Sequence, residues 1–152
     1  DISKLEGLLA KPGSWVVSIL SAANVLRGER QVLAFPDLRP NRPVVKAGEV
    51  LASTTIEGDL TALEPVSRRL NLLLAAAYAR AQRQGTLVEG LQFDAASFKQ
   101  LARELSERQP GQVAQLEALA INSASTADPI AVELRWLAAP APAQSGAGPR
   151  RP

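Results

Sequence analysis

A chain of 152 residues with a net charge of +2 and 46% hydrophobic residues has the size and apolar content of one folded domain. It holds no Cys, no His and no Met, which removes thiolate chemistry, Cys- or His-based metal sites and the commonest near-neutral general base. No basic face is dense enough for a nucleic-acid reader, and no run reaches the ~18 apolar residues that read as a bilayer span.

Ile2–Lys11 places Ile2, Leu5, Leu8 and Leu9 at helical spacing, and Pro12-Gly13 stops it. Trp15–Leu20 is a β-branched and aromatic run whose Trp15, Val17 and Ile19 share one face when extended. A turn at Arg27-Gly28-Glu29-Arg30 leads to a second strand, Gln31–Phe35. Pro36–Pro43 carries three prolines in eight residues, reads as a loop, and cannot be helix or central strand. After a turn at Lys46–Glu49, Val50–Ile56 alternates as a strand, with Val50, Ala52, Thr54 and Ile56 opposite Leu51, Ser53 and Thr55.

The strongest periodicity follows. Val66, Leu70, Leu73, Leu74, Ala77, Tyr78 and Ala81 form one face of a helix that Gln84-Gly85 ends. Thr61 and Glu64 have capping-box spacing, while Pro65 offers a competing start. Thr86–Phe93 reads as a strand, and Asp94 as the N-cap of a second helix with the stripe Phe98, Leu101, Ala102 and Leu105. Gln112–Asn122 suits helix by composition, with Val113, Leu116 and Ala120 on one face, while an extended reading places Leu116, Ala118 and Ala120 on one side and Leu119 and Ile121 on the other. Ile130–Leu137 alternates Ile130, Val132, Leu134 and Trp136 against Ala131, Glu133 and Arg135, a half-buried antiparallel strand. Residues 139–152, rich in Pro, Ala and Gly, are expected to form a disordered tail, leaving 1–138 as a single domain.

No phosphate-binding glycine motif occurs, so no cofactor is expected. Glu57, Asp59, Glu89 and Asp94 lie near element ends, where two of them could converge for acid–base work. The simpler assignment has Asp59 and Asp94 opening helices and both glutamates in solvent. Ser3-Lys4 and Ser97 with Lys99 do not share a helix face, which disfavours a Ser–Lys pair. No catalytic or metal-ligating residue is therefore assigned. Arg39, Arg42 and Lys46 are the most distinctive exposed cations and the candidate partner contacts. Tyr78, within its apolar stripe, is expected in the core.

Thr54-Thr55-Ile56-Glu57-Gly58 before the first long helix is echoed by Thr86-Leu87-Val88-Glu89-Gly90 before the second. Leu91–Leu101, then Val113–Ile121 and Ile130–Leu137, resembles the ferredoxin-like periplasmic domains of type IV pilus alignment subunits N and O and type II secretion subunit M. The likeness spans about residues 50–137 and rests on hydrophobic pattern. It implies that Gln112–Asn122 runs as a strand from about Ala114, within an α+β two-layer sandwich, a mostly antiparallel sheet with two main helices on one face. It further implies a non-catalytic scaffold of a bacterial envelope assembly that forms homo- or hetero-dimers in the periplasm. Beginning Asp1-Ile2-Ser3-Lys4 with no Met, the chain reads as a processed or excised piece, any membrane anchor lying upstream. The competing expectations are a small carboxylate-dependent hydrolase or isomerase using Glu57 or Glu89, and a cytoplasmic regulatory or ligand-binding domain.

Overall fold

The computed structural model describes residues 2–22, 28 and 33–139. In chain order the elements are α1 (Ile2–Leu9), β1 (Trp15–Ser21), β2 (Ala34–Pro40), β3 (Pro43–Val45), β4 (Val50–Ile56), α2 (Leu63–Gln84), α3 (Ala95–Ser106), β5 (Ala114–Ala120), β6 (Ala124–Ser125) and β7 (Val132–Ala138). β4, β5 and β7 form an antiparallel sheet in that order, while β1–β2 and β3–β6 are separate antiparallel pairs. α2 packs on β4 and β5, and α3 packs on α2 and β7. The body is thus a two-layer α+β domain with a helical hairpin covering a sheet.

The α2 stripe explains this layering. Val66, Leu70, Leu73, Leu74, Ala77 and Ala81 are all buried, against Leu51 and Ile56 of β4 and Ala114, Leu116 and Ala118 of β5. Each fully buried Leu or Ile contributes about 1.5–3 kcal/mol of transfer free energy. Gly85 stops α2 at φ 108°; its N–H reaches Gln82 O and the Thr86 N–H reaches Ala81 O, a Schellman closure that a side chain would strain. The start differs from both expectations: Ala62 is the N-cap without a side-chain bond, and Pro65 lies inside the first turn. A first-turn N–H has no helical partner, so a proline costs little there. α3 begins as expected, with Asp94 accepting from the Ser97 N–H at 2.9 Å, and buries Leu101, Ala102 and Leu105.

Three expectations require correction. Pro36–Pro43 is not a loop: Pro36 to Pro40 belong to β2, and Pro43 opens β3, whose Val44 and Val45 are buried. β2 is paired on one side only, and an edge strand tolerates a residue that lacks an N–H. Thr86–Phe93 is not a strand either. Its polar groups are satisfied singly, Leu87 N–H by Thr126 O and Val88 O by the Tyr78 hydroxyl, and only Gln92 makes a β-bridge, to Ala131. The two long helices are therefore consecutive, with no strand between them. In β4 a register shift between Val50 and Ala52 puts Leu51 in the core and leaves Val50 at the surface. The expected turn at Arg27–Arg30 and the start of the expected strand at Gln31 lie outside the described residues apart from Gly28, as does the expected tail beyond Ala139.

Candidate interaction surface

β1 and β2 pair over seven residues, from Trp15 opposite Pro40 to Ser21 opposite Ala34. Paired residues share a face and neighbours along a strand alternate. One face of this ribbon therefore carries Trp15, Val17, Ile19, Ala34, Pro36 and Leu38, with Ser21 and Pro40 at its ends, and not one charge. Ile19 is 77% exposed and Val17 53%. The opposite face holds Leu20 and Phe35, both exposed, beside an Arg39–Asp37 ion pair of 2.8 Å. Among the described residues the two strands pack chiefly on one another and on no helix or sheet of the body to a comparable extent. An isolated two-stranded hairpin is marginal in water, and contiguous exposed apolar surface marks a place where something else packs.

The root of the ribbon is fixed by polar bonds. Asn41 N–H donates to Ser14 O at 2.8 Å and the Asn41 side-chain amide to Ser14 Oγ at 3.3 Å. Thr126, buried at the β6 end, accepts the Arg42 N–H on Oγ1 at 3.0 Å and donates its own N–H to Arg42 O at 3.0 Å. Sequence reasoning did not single out Thr126. Its signal was the polar stretch Asn122–Pro129, a turn composition that marks a connection but not its partner.

The cations named from sequence occupy three different settings. Arg39 is engaged by Asp37 on β2; Arg42 is exposed between β2 and β3, held through its backbone; Lys46 is exposed in the turn before β4. Lys46 N–H and the Gln84 side chain each donate to Glu49, at 3.0 Å. Those two bonds, Gln84 first, hold the Glu49 carboxyl below its ordinary range.

Glu57 and Asp94 lie at opposite ends of α3. Glu57 is exposed at the end of β4, where its carbonyl accepts from Arg108 just beyond the C-terminus of α3. Asp94 caps the opposite end of the same twelve-residue helix, about 18 Å away at 1.5 Å per residue. Glu89 is exposed in the connection between the helices, and Asp59 is exposed after β4. Among the described residues no three acids sit close enough to hold a metal ion. Asp94 is lowered chiefly by its bond from the Ser97 side chain, so it stays an ionised cap, whereas a general acid needs the opposite shift. Ser3, Lys4, Ser97 and Lys99 are all exposed. Tyr78 is half-buried, its ring on the α2 stripe and its hydroxyl 3.1 Å from Val88 O.

Fold and surface together define a two-layer α+β domain built on a helical hairpin and carrying an uncovered ribbon. The chain belongs to the DUF3084-associated C-terminal helical hairpin family, whose family model matches residues 45–139. It is 37% identical over 122 residues to an uncharacterized protein of Nostoc sp. (strain PCC 7120), a match covering 79% of this chain and 23% of that relative. The chain thus spans less than a quarter of the relative's length. No solved structure matches it.

Proposed function

We propose that the chain is a non-catalytic protein-interaction domain that pairs with a second copy of itself through the uncharged face of the β1–β2 ribbon. The observation that carries this reading is that face: Val17, Ile19, Ala34 and Pro36 exposed side by side, with no charge among them. A second copy is the occupant because two uncharged faces meet without stranding a charge, and an isologous two-fold contact requires a surface complementary to itself. The separation of Glu57 from Asp94 and the absence of Cys and His suit a role without bond-making chemistry. The likeness to pilus alignment and secretion subunits supports a periplasmic envelope setting; of the three cations named from sequence, Arg42 lies at the root of the ribbon, where it could meet a partner.

Sedimentation velocity over a range of concentrations tests the pairing. The wild-type chain is expected to associate, and Ile19→Asp, which buries a charge in the contact, is expected to stay monomeric with an unchanged circular dichroism spectrum. A wild-type chain that remains monomeric at the highest concentration contradicts the proposal.

A further inference from the structure

β7 is the outer strand of the body sheet, and its free edge ends in a groove. Ile121 N–H donates to Ala131 O and Ala139 N–H to Val113 O, so the odd-numbered residues from 131 to 139 address β5. The even-numbered residues address the other side. There Gln92 takes the first place: its N–H donates to Ile130 O at 2.9 Å, and it accepts the Val132 N–H at 2.8 Å. The chain then leaves the edge to begin α3. Leu134, Trp136 and Ala138 point their backbone groups outward with no strand beside them among the described residues.

Where Gln92 departs lies a groove of about 430 Å³, lined by Phe93, Phe98, Ile121 and Leu134 together with the carboxylates of Asp94 and Glu133. The two phenylalanine rings are 5.8 Å apart at their centroids. No cation lines the groove, and Glu133 has no ion pair among the described residues.

We infer that this edge and groove bind an extended peptide segment of another protein, added as a strand beside β7, with apolar residues alternating with Lys or Arg. The physical reasons are separate. The outward N–H and C=O groups of Leu134, Trp136 and Ala138 form a ladder that a strand of about five residues completes, and main-chain bonds of this kind supply affinity. The aromatic and aliphatic lining accepts an apolar side chain. Glu133, without an ion pair, and Asp94, held by Ser97 as the α3 cap, both lie on the groove with no cation among its lining, and together they select a cationic neighbour and repel an acidic one. Gln92 already shows the bonding geometry at one end of the edge. The inference is independent of the ribbon pairing, which uses different strands.

The probe is a blocked eight-residue peptide alternating Val with Lys, titrated into the isotopically labelled full chain and followed by NMR. Shifts confined to Phe93, Phe98 and residues 132–138 are expected. The Glu-for-Lys peptide should bind at least tenfold more weakly, and a peptide N-methylated at alternate amides should not bind. Glu133→Lys, a substitution at an exposed site, should narrow or reverse the preference between the two peptides. The inference is overturned by an absence of shifts at millimolar peptide, by shifts on β1–β2 instead, or by equal binding of the N-methylated peptide. Shifts along β7 that appear with protein concentration alone, without peptide, assign the edge to a second copy and overturn it equally. A dimer through β7 would also associate in sedimentation but would survive Ile19→Asp, whereas ribbon pairing would not, so the two ideas fail separately.

Discussion

Arg108 is buried, and its guanidinium donates to three backbone carbonyls: Leu105 at the end of α3, Gln112 before β5, and Glu57 after β4. Burial pushes its pKa down, and the Asp59 charge opposes that shift. One planar fork thus joins three turns that the chain order keeps apart. Arg108→Ala should destabilise the fold by about 3 kcal/mol, because it strands carbonyls that a charged donor satisfied. Arg108→Lys should recover little, since an ammonium cannot reproduce the fork. Urea denaturation of both variants reads the difference. Beside this fork, a Cβ on Gly58 would fall 2.5 Å from the Gly111 carbonyl, where backbone cannot yield cheaply. Gly58→Ala is expected to cost roughly 1–3 kcal/mol as overpacking. In contrast, Gly7→Ala meets nothing within 4 Å in α1 and should be neutral or stabilising by up to about 1 kcal/mol. None of this was legible in the sequence. A single Arg in a polar turn resembles any solvated Arg, and what buries Arg108 is the convergence of segments some fifty positions apart in the chain.

Glu49 connects residue chemistry to pH. Its folded-state pKa lies below the ordinary 4.5, so its contribution is fully present above that value and is lost as pH falls through the folded pKa. The stability difference between wild type and Glu49→Gln should therefore shrink on acidification below pH 4.5. A difference that stays constant between pH 7 and pH 3 would mean the two bonds to Glu49 do not discriminate its charge state.

Among elements, α2, α3 and β7 were readable because their apolar periods match the faces they bury, whereas β5, with Ala118, Leu119 and Ala120 all buried in succession, carries no clean alternation and was read as extended only through the resemblance. Val66 through Ala81 on α2, and Ile130 before β7 with Val132, Leu134 and Trp136 on it, are buried or half-buried in register with the pattern. Leu70→Ala, on the fully buried face of α2, should cost about 3 kcal/mol in a urea titration. Thr86–Phe93 misled because Leu87, Leu91 and Phe93 alternate as a strand would. Its hydrogen-bond partners, Thr126, Tyr78 and Ile130, lie on other elements, and the positive-φ Gly90 interrupts it. β2 was hidden by its prolines, whose exclusion applies to central strands and not to a two-stranded ribbon with no further strand beside it among the described residues. The first half of the ribbon face was visible in advance, since Trp15, Val17 and Ile19 share a side by simple alternation. Its second half, Ala34, Pro36 and Leu38, became visible only once β2 was paired.

At the scale of the molecule, a covered body and an uncovered ribbon perform different tasks. The body encloses its core beneath the helical hairpin and is the part the family model matches. The ribbon adds little to that core and presents apolar surface outward. Substitutions on its uncharged face should therefore change association while leaving the urea midpoint nearly unmoved, whereas substitutions on α2 should do the reverse. Because the chain has no native Cys, a spin label can be placed at any single position without background. The most direct test of ribbon pairing compares labels at Phe35→Cys, on the ribbon face turned away from the contact, and Ser53→Cys on β4 by pulsed dipolar spectroscopy. Pairing through the ribbon predicts a defined intermolecular distance at position 35 that is shorter than the one at position 53. No intermolecular distance at position 35, or a shorter one at position 53, would contradict it.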